Sequence, residues 1–291
     1  MKRSDFLKAL AILPVGAAAM QLTDLKLFTQ DLPKTERYPV IFIGHGSPQN
    51  VIFDNRFTQD LAKTGQRLER PKAILCISAH WLTRGSYISV NPKPETIYDF
   101  GGFPEEMYHI KYPAPGHPEL ASLTASLSEK VKIEHDHSMG LDHGAWAVLR
   151  HMYPDADIPV FQMSIDYSKN AQWHFELAQE LQAIREKGVM IIASGNIVHN
   201  LGVFDFSSID APIMGWAGEF DAAVKSRLES RNFGELQTYQ NLPQWKMAVP
   251  SNDHYLPMIY ALGMTNTKDE FGYIHEGFQY GSISMRSFIF S

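Results

Sequence analysis

The sequence predicts a single α/β domain with a central, mostly parallel sheet flanked by helices and its active site at the C-terminal ends of the strands. Three observations carry that expectation. Short apolar runs such as Tyr38-Pro39-Val40-Ile41-Phe42-Ile43 and Lys72 to Ala79 stop abruptly at Gly44 and His80, and read as buried strands. A helical pattern lies between those two runs. The same run-helix-run order returns later in the chain, as a parallel sheet with crossovers requires.

Taken in order, residues 1–20 come first: a charged start (Lys2, Arg3, Lys8), an apolar stretch from Ala9 to Val15, then Gly16-Ala17-Ala18-Ala19. This is the order of an export signal, and cleavage after Ala19 fits the small-x-small rule. Arg3-Ser4-Asp5-Phe6-Leu7-Lys8 is similar to a twin-arginine leader, with Ser4 where the second arginine belongs. The apolar stretch is too short for a bilayer core of about 30 Å, and it contains Pro14, so no permanent membrane span is expected. Residues 1–19 are therefore expected to be an export signal or N-terminal extension, and 20–37 a linker. The expected location is periplasmic, with a cytoplasmic protein that keeps an amphipathic N-terminal helix as the alternative.

After the first strand, Asn55 to Leu68 places Phe57, Leu61, Ala62 and Leu68 among polar residues, which suits the helix of a βαβ unit. Tyr87 to Pro118 is rich in proline and holds Gly101-Gly102; it reads as a long irregular insertion of the kind that walls active sites. Ile158 to Ile165 reads as a further strand. Ala171 to Lys187 reads as a helix stopped by Gly188, and Val189 to Ala193 as a strand leading into Ser194-Gly195-Asn196. No repeat, low-complexity tract or break in composition marks a second domain.

Composition narrows the function. Lys and Arg total 26 against 32 Asp and Glu, a net charge of −6, and no basic run forms a stripe that tracks phosphates. Nucleic acid is excluded as the expected partner. The single cysteine, Cys76, lies inside an apolar run, so neither an internal disulfide nor a thiolate zinc cluster is expected. Histidine is the unusual residue, with 12 in 291.

Five histidines stand where chemistry is expected. His45 lies between two glycines just after the first strand, and His80 ends the next strand 35 residues on, a distance suited to one crossover. In open α/β sheets ligands collect outside the carboxyl ends of the strands, so the two imidazoles can converge. His199 follows the strand that ends at Ser194-Gly195-Asn196; His254 precedes the apolar segment Leu256 to Leu262; His143 lies in Asp142-His143-Gly144-Ala145-Trp146. Imidazoles without thiolates suit Fe(II), Zn(II) or Mn(II), with positions left open for water or substrate. His109, His117, His135, His137, His151, His174 and His275 read as solvated or structural.

Gly-His-Gly-Ser-Pro at 44–48, Ser-Ala-His-Trp at 78–81, Tyr-Asp-Phe-Gly-Gly-Phe-Pro at 98–104 and Asp-His-Gly-Ala-Trp at 142–146 together resemble the class III extradiol ring-cleavage dioxygenases. Tyr-Pro-Ala-Pro-Gly at 112–116, Ser-Gly-Asn-Ile-Val-His-Asn at 194–200 and His-Tyr-Leu-Pro at 254–257 are similar to the DOPA 4,5-dioxygenase type. The resemblance makes 38–291 the catalytic domain, which opens the ring of a DOPA-like catechol with O2 and gives a muconic semialdehyde. It implies that His45, His80 and His254 bind the metal, with His199 an acid/base or a further ligand. The protocatechuate-cleaving relatives have a carboxylate as third ligand, whereas the third position here matches His254, next to Asp253. Fe(II) is the implied catalytic ion. Zn(II) also suits three histidines but has no redox change to offer oxygen chemistry.

On that footing His199, as a group titrating near neutrality, takes a catechol proton when substrate binds and returns it later. His143 donates a hydrogen bond to substrate or bound oxygen. Trp81, Tyr98, Phe100, Phe103 and Trp146 are candidates for an aromatic wall. Two other functions use the same residues: a zinc-dependent hydrolase, and a non-catalytic protein that binds a metal or an aromatic ligand.

Overall fold

The apolar runs of the sequence become the centre of a six-stranded sheet in the computed structural model, which describes residues 37–291. The expected export signal at 1–19, and all of the expected linker but Arg37, lie outside the described residues. We number the strands of the sheet β1 (Val40–Gly44), β2 (Ala73–Ser78), β3 (Val160–Gln162), β4 (Val189–Gly195), β5 (Phe271–His275) and β6 (Ser287–Phe290). Their order across the sheet is β3-β2-β4-β1-β6-β5.

Neighbours from β3 to β1 are parallel, and both pairings of β6, with β1 and with β5, are antiparallel. The sheet is therefore mixed: the expected parallel order holds from β3 to β1, and β6 and β5 depart from it. The reason lies in the connection: residues 276–286 form a small hairpin, Phe278–Gln279 with Ile283–Ser284, instead of a crossover helix. A chain that turns back without a crossover pairs antiparallel. Phe288 on β6 meets Phe42 on β1 with ring centroids 5.2 Å apart, which seals that side of the core.

Helices cover both faces. The longer ones are α1 (Arg56–Arg67), α2 (Pro118–Ser126), α3 (His143–Met152), α4 (Ala171–Leu181), α5 (Gly215–Glu229) and α6 (Leu256–Gly263). Asn55 starts α1 with a reciprocal cap: Thr58 N–H donates to Asn55 Oδ1 and Asn55 N–H to Thr58 Oγ1, both at 3.0 Å. One face of the sheet (Ile41, Ile43, Ile74, Cys76, Ile192) packs on Phe57 and Leu61 of α1 and on Trp146 and Leu149 of α3. Side chains alternate along a strand, so Phe42, Leu75 and Ile191 point the other way, where α6 lies on β4 and against α4. Cys76 is fully buried in this core, as expected of a structural thiol. The chain from 171 to 187 is α-helical to Leu181, tightens into a 3₁₀ turn over Gln182–Lys187, and is stopped by Gly188 at φ 89°. Among the described residues no helix is long and apolar enough to cross a membrane.

Candidate metal centre

The carboxyl end of β4 is the point from which the site is hung. His45 N–H donates to the Gly195 carbonyl (3.0 Å), Ala79 N–H to the Ser194 carbonyl (2.9 Å), and Asn196 N–H to the His254 carbonyl (2.8 Å). Three separate segments, those carrying His45, His80 and His254, are thereby tied to one strand end. Glycine is needed at two places. A Cβ on Gly195 would lie 2.2 Å from the His254 carbonyl oxygen, and Gly46 turns at φ +64° beneath Met285. The Asn196 side chain closes the turn, accepting Gly46 N–H at 3.3 Å and donating to the Ser284 carbonyl at 2.9 Å.

The five histidines singled out in the sequence meet here. His45 Nε2 and His80 Nε2 stand 3.2 Å apart. Two imidazole nitrogens on one ion at about 2.1 Å stand roughly 3.0–3.4 Å apart, so this pair is spaced as ligands are. Facing lone pairs at that distance also call for a proton or a cation between them. Ligand atoms of His45, His80 and His143 all lie within 4.8 Å of one another, a cluster of three histidines close enough to hold a metal ion, with His254 beside it as a further donor. The His254 ring lies 5.3 Å from that of His45 and 5.0 Å from that of His80, by centroids. His199 stacks on His254 with centroids 3.5 Å apart and planes 6° from parallel.

Most of the far ring nitrogens are held by side chains to which the sequence assigned no role. His143 Nδ1–H donates to Asp99 Oδ2 (2.9 Å), and the same oxygen is 3.3 Å from His80 Nδ1. His254 Nδ1–H donates to Asp253 Oδ2 (2.8 Å), and His45 Nδ1 lies 2.9 Å from Ser194 Oγ. Such partners fix ring orientation and make imidazole a better donor to metal. Beneath them, buried Asp142 caps α3, taking Ala145 N–H at 3.1 Å, Ser78 O–H at 2.7 Å and Gln162 Nε2–H at 2.8 Å. His143 is thereby placed on the first turn of α3.

Burial, reinforced by the neighbouring imidazoles, pushes the pKa of His45 and of His80 well below the ordinary value. Both are neutral, the form that binds metal. His199 is lowered to about 3, by burial first and then by His254, so the titration near neutrality expected of it is corrected for this pocket. Burial works to raise Asp99 and Asp253, but hydrogen bonds from His143 and His254 outweigh it and hold both carboxyls below their usual range.

The histidines open into a cavity of about 680 Å³ that His45, His80, His143, His199 and His254 all line. Phe100 and Phe103 of the proline-rich insertion form one wall, and Leu201, Phe204 and Phe206 another. Of the five aromatics expected to form a wall, Trp81, Tyr98 and Trp146 do not line the cavity: Trp81 and Trp146 are buried, and Trp146 donates Nε1–H to the Ile97 carbonyl (2.9 Å). The second wall had no sequence signal beyond scattered apolar residues in a loop. The remaining histidines are outside the site. His174 and His275 are buried, with Tyr260 and Asp60 as partners at 2.9 and 2.8 Å.

Comparison with known proteins agrees with this geometry. Residues 38–290 match the family described as the catalytic LigB subunit of aromatic ring-opening dioxygenase. The chain is 44% identical over 255 residues to a 4,5-DOPA dioxygenase extradiol of Escherichia coli (strain K12), covering 86% of this chain and 94% of that protein. It is 37% identical over 258 residues to a 4,5-DOPA dioxygenase extradiol of Beta vulgaris, covering 86% and 95%. A crystal structure of an uncharacterized protein from Escherichia coli K12 superposes with TM-score 0.76 at 39% identity, over 88% of this chain and 100% of that one. With a three-histidine metal site at its sheet end and the family matched almost from its first described residue to its last, the chain belongs to the LigB-type extradiol ring-opening dioxygenases.

Proposed function

We propose that the site cleaves a catechol ring in the extradiol position with O2, at a mononuclear histidine-ligated non-haem ion, to give a muconic semialdehyde. The observation that carries this reading is the convergence of five imidazoles on one cavity with aromatic walls. His45, His80 and His254 hold the ion. All three hang from the end of β4 through backbone hydrogen bonds, the rigid support that a ligand set needs. His143 is held by Asp99, a side chain of the insertion that walls the cavity, which suits a group that contacts substrate.

Fe(II) is the active ion, supplying the one-electron chemistry that lets O2 react with a catechol; Zn(II) fits the same donors but lacks a redox change. Neutral His199 is the candidate base for a catechol hydroxyl, a role that requires the hydroxyl to be acidified at the ion, because burial has lowered the His199 pKa to about 3. His143 Nδ1 is committed to Asp99, which leaves Nε2 to face the substrate or oxygen. Phe100 and Phe103 hold the ring in place and keep water from it. The similar proteins of Escherichia coli and Beta vulgaris are named for DOPA, and a DOPA-like catechol is the starting point for the substrate.

The test is the product. Fe(II)-loaded protein, given a catechol and air, is expected to form a yellow compound whose mass equals that of the catechol plus O2. The Zn(II)-loaded protein should form none. Ester hydrolysis by the Zn(II) form without oxygen, with no ring opening by the Fe(II) form, would instead establish a zinc hydrolase on the same ligands.

A further inference from the structure

Given the ring-opening reading above, on which this inference rests, we infer that dioxygen has a binding site of its own, a small apolar cavity on the His45–His143 side of the histidines, and enters it past His151. Ring opening brings two reactants to one place. A catechol seated in the cavity of about 680 Å³ stands between its mouth and the histidines, so the smaller reactant needs a second way in.

A second cavity, of about 10 Å³, shares His45, Ser47, Pro48 and His143 with the first. That is room for one very small molecule, since a single water needs roughly 10–15 Å³. Much of the remaining wall is hydrocarbon: Phe57 and Leu61 of α1, and Ala147 and Val148 of α3. Asn50 and His151 complete it, and their polar atoms are tied into the protein. Asn50 Nδ2–H donates to the His45 carbonyl (3.1 Å) and to Gln279 Oε1 (3.0 Å), and Asn50 Oδ1 accepts from Asn55 (3.1 Å) and Gln279 (2.8 Å). The Asn50 carbonyl takes His151 Nε2–H at 2.9 Å. Water gains little in such a place, and a small uncharged molecule leaving water for hydrocarbon gains more. Of the two reactants, O2 alone is that small and that apolar.

The way outward follows one helix face. His143, Ala147 and His151 are spaced by four residues on α3 and so stand in one row, about 12 Å long, that starts at the histidine cluster. His151 ends the row. It lines the small cavity and also an outer depression of about 640 Å³, where Val51, Ile52 and Phe53 are its neighbours. Among the described residues it is the one side chain that lines both, half-buried, with its ring held by the bond to the Asn50 carbonyl. Rotation of that ring is the opening step.

Crystals of the Zn(II)-loaded protein, pressurised with krypton and read by anomalous scattering, test the site without turnover. One krypton between Leu61 and Val148 is the expected result. Ala147→Leu and Leu61→Phe fill the cavity from its two helices. In the Fe(II)-loaded forms, kcat/KM for O2 is expected to fall about fivefold or more, while kcat at saturating O2 and the affinity for catechol stay those of the parent. His151→Ala should raise kcat/KM for O2, and no rise would overturn the route. A water that krypton does not displace, or parent-like kcat/KM for O2 in both filled variants, would overturn the inference with ring opening intact. Krypton bound as expected, with no O2 uptake from any catechol, would overturn the ring-opening reading and leave the apolar gas site standing.

Discussion

His143 and His254 both lie beside His45, each with its Nδ1 fixed by a carboxylate; His143 closes the tighter cluster with His45 and His80, and the supports of the two rings differ. His254 is tied by its backbone to the end of β4; His143 is tied to Asp99 on the insertion. Metal analysis after desalting should therefore find that His45→Ala, His80→Ala and His254→Ala lose stoichiometric metal. His143→Ala should keep its ion while turnover falls about a hundredfold. The reverse pattern, metal lost from His143→Ala and kept by His254→Ala, would exchange the two roles. His199 makes a different prediction. Its replacement by alanine should leave catechol binding in place and lower kcat by about a hundredfold or more, and a variant with full turnover would end its role in proton transfer.

Between elements, the most concentrated polar contact outside the site is Arg185, which is fully buried. It donates to Asp269 (2.7 and 3.0 Å), to the Tyr38 carbonyl (2.6 Å) and to the Met264 carbonyl (2.9 Å). These contacts join the entry to β1, the end of α6 and the approach to β5. Asp269→Ala would leave the guanidinium buried without its anion, and urea denaturation should show a loss of about 3–5 kcal/mol; a loss below about 1 kcal/mol would contradict that account. The same scale explains what could be read in the sequence. β1, β2 and β4 are buried on both faces, so each shows as an unbroken apolar run, and the residues that follow them mark the edge where ligands collect. β5 and β6 are bounded by loops and hairpin turns, and nothing in Phe271–His275 or Ser287–Phe290 announced an antiparallel return. Asp99 stands in a motif that carries the resemblance, but its pairing was not legible, because its partner His143 is 44 residues away and the contact depends on the path of an irregular loop. Leu201, Phe204 and Phe206 gave no period at all; only the folded loop shows that they share a wall.

The molecule as a whole carries a buried titratable group that links stability to pH. His174 on α4 is fully buried against the Tyr260 hydroxyl, and burial lowers its pKa from 6.5 to about 4, with Asp166 opposing. Between those two values the unfolded chain binds a proton that the folded chain does not. Its contribution is therefore complete above about pH 6.5 and is lost as pH falls towards 4, in total about 3 kcal/mol. Denaturation curves for the parent and for His174→Gln should converge over that interval, and a constant difference between them would remove His174 as the cause. At this scale the sheet, the helices on its faces and the insertion act together to bring five imidazoles to one strand end under aromatic walls, and oxygen chemistry at that point is the central claim. The measurement that tests it most directly is O2 uptake by protein loaded anaerobically with Fe(II), given a panel of catechols, beside a Zn(II)-loaded control. One O2 consumed for each ring opened, with yellow product and no uptake by the zinc form, is the predicted result. Iron bound at stoichiometry with no uptake from any catechol would contradict it.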